Sequence, residues 1–123
     1  VHWGDNRHNP PDDVWKSLGH IDVALLPVDA SQHVMGHIHV QSIVDRLQPR
    51  VIVPSHYYIW DVVQRQSTLQ TVEAWVAERE EFVERIAGPM KVYRTEEMDK
   101  LEAAVHYFGD HVAFDKAAWM DGA

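Results

Sequence analysis

Apolar residues fall into two patterns along this chain. In residues 21–28 and 51–54, Val, Ile and Leu follow one another almost unbroken, as in strands covered on both faces. Elsewhere they recur at helical spacing. Met35, Ile38, Ile43, Val44 and Leu47 do so in a segment that stops before Pro49, which cannot continue a helix. Pro10-Pro11-Asp12-Asp13 sets proline near a first turn and acids at the positive end of a helix dipole, predicting a helix that carries Val14, Trp15 and Leu18 and closes at Gly19. The longest stripe is Leu69, Val72, Trp75, Val76, Val83 and Ile86. It predicts a helix over residues 68–87, with Ser67 and Gln70 as a capping box and Gly88-Pro89 as the stop. The opposite face, Glu78, Arg79, Glu81, Glu84 and Arg85, reads as solvated surface. Residues 90–94 and 105–108 predict two further strands, and residues 112–120 a terminal helix.

Strands alternating with helices are the α/β pattern, which favours parallel pairing, and 123 residues at this composition predict one domain over residues 1–123. In such sheets, ligands gather just past the carboxyl ends of the strands. Three segments arrive there: Gly4-Asp5-Asn6-Arg7, Val28-Asp29-Ala30-Ser31 and Ser55-His56-Tyr57-Tyr58. Composition narrows the chemistry. Eleven Lys and Arg against nineteen Asp and Glu give a net charge of −8, which disfavours nucleic acid and anionic membranes as partners. Cysteine is absent, so disulfides, thiolate catalysis and Cys-type zinc sites are excluded. No apolar run is long enough to cross a bilayer and no leader pattern opens the chain, so the expectation is a soluble, cytoplasmic protein. The first residue is Val, and residues 2–5 read as a strand end running into a turn, which suggests a truncated chain whose upstream part is absent.

Asp5 beside Gly4 can coordinate a cation, or it can simply close an Asx turn ahead of Pro10. His56 leaves a buried strand after Pro54, and imidazole is the commonest neutral metal ligand. Their pairing at corresponding strand ends raises both above a merely structural role. Of the nine His, the cluster His33, His37 and His39 is the most conspicuous. His37 and His39 point to opposite sides of a helix and cannot share one ion, whereas His33 and His37 could at spacing four; a solvated face is the preferred reading for all three. A Ser-His-Asp triad assembled from Ser31 or Ser55, His56 and Asp29 lacks the G-x-S-x-G elbow. No Gly-rich phosphate loop is present. Trp3, Trp15, Trp60, Trp75 and Trp119 read as core and interface residues rather than a stacking platform.

The order of these pieces resembles the C-terminal half of the metallo-β-lactamase superfamily. The residues that carry the likeness are His2-Trp3-Gly4-Asp5-Asn6, Ile21-Asp22-Val23-Ala24-Leu25-Leu26-Pro27 and Val51-Ile52-Val53-Pro54-Ser55-His56-Tyr57. Pro54-Ser55-His56-Tyr57-Tyr58-Ile59-Trp60 is similar in wording to the branch that contains L-ascorbate-6-phosphate lactonase. The resemblance implies half of an αββα sandwich, its sheet parallel or mixed with helices on one face, and the N-terminal half absent. It makes Asp5 the bridging carboxylate and His56 the last metal-binding His, with zinc or manganese as the metal of the complete fold. Asn6, Arg7 and Tyr57 are then the neighbours that meet a small-molecule substrate.

The superfamily's His-x-His-x-Asp-His motif and its following isolated His are nowhere in these residues. The expected function is therefore a fragment of a metal-dependent hydrolase, acting on an ester, lactone or phosphoester through metal-bound hydroxide in the complete protein. Alone, the chain has no residue assigned to catalysis, is expected to be inactive, and need not bind metal. A non-catalytic, receiver-like α/β interaction domain is the alternative, although the acidic pair and late Lys of a receiver are not found. Because strands apolar on both faces need cover that one layer of helices cannot give, a homodimer through the apolar sheet face is expected, burying above about 2,000 Å².

Overall fold

A computed structural model describes residues 1–31, 34–59 and 66–109. The elements run α1 (Asp12–Leu18), β1 (Val23–Pro27), α2 (His37–Leu47), β2 (Val51–Ser55) and α3 (Glu73–Ala77). A 3-10 turn (Glu80–Phe82), β3 (Val83–Arg85), α4 (Thr95–Met98) and β4 (Ala104–Tyr107) follow. The strands form one sheet in the order β1-β2-β4-β3, every pair parallel. His2 adds a parallel bridge to Leu25 on the free side of β1, so residues 1–3 run alongside the sheet in the same direction. The α/β class and the parallel sheet are as the sequence predicts.

Side-chain alternation and register put Ala24, Leu26, Ile52 and Val105 on one face, where they join Trp15 of α1, Val40, Ile43 and Leu47 of α2, and Trp75 and Val76 of α3 in a single core. The helices cover that face. Trp3 enters the same core from the first segment, its ring 5.5 Å from Trp15. The other face carries Val23, Leu25 and Val53, which are half-buried, and Val51 and His106, which are buried. Its β4 end is covered from within the chain, because Lys91 and Tyr93 reach Glu84 and His106.

α1 closes at Gly19 with φ +60°, a conformation that favours glycine, and α2 ends at Gln48 in the left-handed region just before Pro49. Two sequence expectations are corrected. The stripe over residues 68–87 is not one helix. Only Glu73–Ala77 is helical, and Val83, Glu84 and Arg85 pair in register with Val105, His106 and Tyr107. Val72, Trp75 and Val76 do turn into the core, so the periodicity is real there, whereas β-branched Val83 finds a free strand edge on β4 and the ladder overrides helical spacing. Ser67 accepts from the Leu69 N–H and so caps a turn before the helix rather than the helix itself. Residues 90–94 are not a strand. They alternate as one would, with Lys91 and Tyr93 inward and Met90 and Val92 exposed, but their backbone joins no ladder. The terminal helix over residues 112–120 lies outside the described residues. Among the described residues, no helix is long and apolar enough to cross a membrane.

Candidate metal centre

Three parallel segments deliver their next residues to the same edge of the sheet. After the His2 bridge, Gly4 turns the chain with φ +61°, and its N–H donates to His2 Nδ1 at 3.0 Å, setting Asp5 at the edge. β1 ends at Pro27, and Val28, whose N–H donates to the Ser55 carbonyl at 3.0 Å, leads straight into Asp29. β2 ends at Ser55, and His56 follows at once with φ +54°, outside the backbone region most residues adopt. Ala30 has φ +50° beside Asp29. Such residues each cost about 1–3 kcal/mol and persist where the surrounding structure over-determines them. Gln70 fixes the loops: its N–H donates to the Asp29 carbonyl at 2.9 Å, and its carbonyl accepts from the Tyr58 N–H at 3.0 Å.

The result brings both sequence candidates together. His56 Nε2 lies 3.2 Å from Asp5 Oδ1, the carboxylate largely exposed and the imidazole mostly buried. On the other side of the ring, Nδ1 lies 3.8 Å from Asp29 Oδ2. Asp29 is fully buried and takes a hydrogen bond from the Ser31 hydroxyl. Sequence reasoning weighed Asp29 only as part of an incomplete triad or as a strand-end acid. The signal that finds it is a charged residue placed directly after a buried apolar run.

The remaining candidates take different positions. Asn6 accepts from the His8 N–H at 3.2 Å and closes a local turn. Tyr57 donates its hydroxyl to the Gly109 carbonyl at 2.5 Å and packs edge-on against Tyr107. Arg7 lines a cavity of about 330 Å³ with Ala30, Ser31, Val34, Met35, Gly36 and His39. His37 sits with Nε2 3.2 Å from the Val28 carbonyl oxygen, His39 is exposed, and His33 lies outside the described residues.

An oxygen and an imidazole nitrogen converging from separate strand ends suit a divalent cation such as zinc or manganese. Two groups are fewer than such an ion takes: among the described residues, no group of three His, Asp or Glu side chains is placed to hold an ion.

A second histidine–carboxylate set lies in the sheet itself. His106 of β4 is fully buried, with Nδ1 2.7 Å from the Tyr93 hydroxyl and Nε2 3.2 Å from Glu84 Oε2. Lys91 Nζ donates to Glu84 Oε1 at 2.5 Å. Burial holds the His106 imidazole below its ordinary pKa, and Lys91 adds to this while Glu84 opposes it. The Lys91 hydrogen bond holds Glu84 below the usual carboxylate range, and burial pushes Tyr93 up.

With this geometry in place, comparison with known proteins is informative. A family model described as "Beta-lactamase superfamily domain" matches residues 1–56, the stretch that holds Asp5, Asp29 and His56. The crystal structure of a putative Zn-dependent hydrolase of the metallo-β-lactamase superfamily from Thermotoga maritima superposes with a TM-score of 0.65 at 24% identity. The chain has a metallo-β-lactamase fold. It covers 85% of its own length in that superposition and spans half the length of the Thermotoga structure. No curated protein matches.

Proposed function

We propose that this chain carries one side of the metal site of a metallo-β-lactamase-fold hydrolase, with Asp5 and His56 as ligands. The observation that carries the reading is the 3.2 Å approach of Asp5 Oδ1 to His56 Nε2, reached from two strand ends that are not adjacent in sequence. A divalent cation held there supplies Lewis acidity and lowers the pKa of water, the chemistry that hydrolysis of an ester, lactone or phosphoester requires. The chain's own residues do the rest: the strained His56 backbone aims the imidazole, and the parallel strands fix the separation of the two ligands.

The substrate occupies the cavity beside this edge, where Arg7, two residues from Asp5, offers a cation to a substrate anion and Val34 and Met35 an apolar wall. Of the three substrate candidates, Arg7 is the one that lines the cavity; Asn6 and Tyr57 support the loops around it. The remaining ligands come from a His-x-His-x-Asp-His segment outside these 123 residues. The wording Pro54-Ser55-His56-Tyr57-Tyr58 supports a lactonase-like member of the superfamily.

Two assays test this. The chain alone, with zinc or manganese and offered a lactone, a phosphodiester or a β-lactam, is expected to show no appreciable turnover. Joined to a half that bears the missing motif, it is expected to turn over substrate, and His56→Ala abolishes that activity. Metal-dependent turnover that survives both Asp5→Ala and His56→Ala overturns the reading.

A further inference from the structure

His56 stands between two carboxylates, one on each ring nitrogen, and the two are unlike. Asp5 is mostly in water, with its side chain 81% exposed, while the Asp29 side chain is 0% exposed. A buried carboxylate is retained only where its oxygens find donors. Asp29 has the Ser31 hydroxyl on Oδ2, while Oδ1 has no hydrogen-bond partner among the described residues. His56 Nδ1 is also buried and has none there. A buried carboxylate with one oxygen lacking a donor and a buried ring nitrogen without a partner therefore lie at the same strand ends, Nδ1 being 3.8 Å from Oδ2, the oxygen that Ser31 already supplies. That gap is longer than a hydrogen bond; such bonds are commonly long until a site is filled.

We propose that Asp29 is a positioning residue for His56. It holds the proton on Nδ1, so that the Nε2 lone pair faces Asp5 and the metal edge. The inference rests on the reading of His56 as a metal ligand given above. A neutral imidazole carries one N–H, and the nitrogen without it is the one that ligates. A carboxylate on the other nitrogen selects the tautomer, locks the ring orientation and raises ligand basicity. The surrounding backbone is arranged for this. Gln70 holds the Asp29 carbonyl, Val28 ties β1 to the Ser55 carbonyl, and Ser31 orients the carboxylate itself. Asp5 then meets the ion directly, while Asp29 acts only through His56.

The test reads the tautomer first and metal second. In metal-free protein labelled with ¹⁵N-histidine, long-range ¹H–¹⁵N correlation at a pH where imidazoles are neutral is expected to show His56 as the Nδ1–H form. Asp29→Asn, checked for an unchanged fold by its amide spectrum, is expected to shift His56 toward the Nε2–H form. Zinc affinity measured by calorimetry should fall about 10–100-fold in that variant, with Ser31→Ala moving both readouts less and in the same direction. Should Asp29→Asn fail to fold, the tautomer of the unsubstituted chain and the Ser31→Ala shift still decide the matter. His56 in the Nε2–H form in the unsubstituted chain overturns the proposal, as does a folded Asp29→Asn with the tautomer unmoved. A chain that binds no zinc while Asp29 still controls the tautomer removes the metal reading and leaves the pairing standing.

Discussion

Two histidines in this chain each sit between polar partners, and they do different work. His106 lies within β4, fully buried, with the Tyr93 hydroxyl on Nδ1, Glu84 Oε2 3.2 Å from Nε2 without a hydrogen bond, and Lys91 behind the glutamate. His56 lies just past β2, at φ +54°, between a buried acid and a largely exposed one. The negative charge near His106 is matched by Lys91. Asp29 has no Lys or Arg among the ion pairs of the described residues, only the imidazole. The lesson is that a histidine–carboxylate pair is not by itself a site. Position past a parallel strand end, backbone strain and a buried acceptor short of donors separate the His56 pair from the His106 one.

Substitutions should divide along the same line. The largest effect is expected at the metal edge: Asp5→Ala or His56→Ala lowers zinc affinity by more than about 100-fold in calorimetry, since loss of a ligand exceeds loss of its support. The urea midpoint of Asp5→Ala should move little, Asp5 being exposed. At the second set the effect is on stability. His106→Leu is expected to cost about 1–3 kcal/mol in urea unfolding by leaving Tyr93 and Glu84 without their partner, with zinc binding unchanged. A metal effect from His106→Leu would break the comparison.

Acid should find the same weak point. His106 has a folded pKa below its unfolded value of about 6.5, so below that pH the unfolded chain binds more protons than the folded one. The stability it contributes is present above about pH 6.5 and is lost as pH falls toward the folded value. Glu84 is also depressed and acts with the same sign at lower pH. Urea midpoints measured between pH 7.5 and 5.5 should therefore decline, and His106→Leu should flatten that decline. The smallest effect is expected of Tyr93→Phe, about 1 kcal/mol, from loss of one hydroxyl bond to His106.

Much of this was legible in the sequence, for reasons that also mark where it failed. β1 and β2 are continuous apolar runs with turn residues at their ends, so their identity and exits could be read, and, with the exit of β2, His56. β3 could not, because Val83 and Ile86 continue the spacing of Val72, Trp75 and Val76, and nothing local shows that β4 offers a free edge. Asp29 lost its weight because the triad it could join lacks the G-x-S-x-G elbow. Only burial shows it to be an acid kept from water beside a ring nitrogen.

The central claim is that the carboxyl ends of these strands form a metal edge, and one titration addresses it most directly. Zinc is added to ¹⁵N-histidine-labelled chain while the imidazole resonances of all nine His are followed. The account predicts that His56 responds at the lowest zinc concentration, through Nε2, and that Asp5→Ala removes that response. If the first resonances to move belong to His37 or His39, or to His106, with His56 unchanged, the metal edge is elsewhere or absent and the account is contradicted.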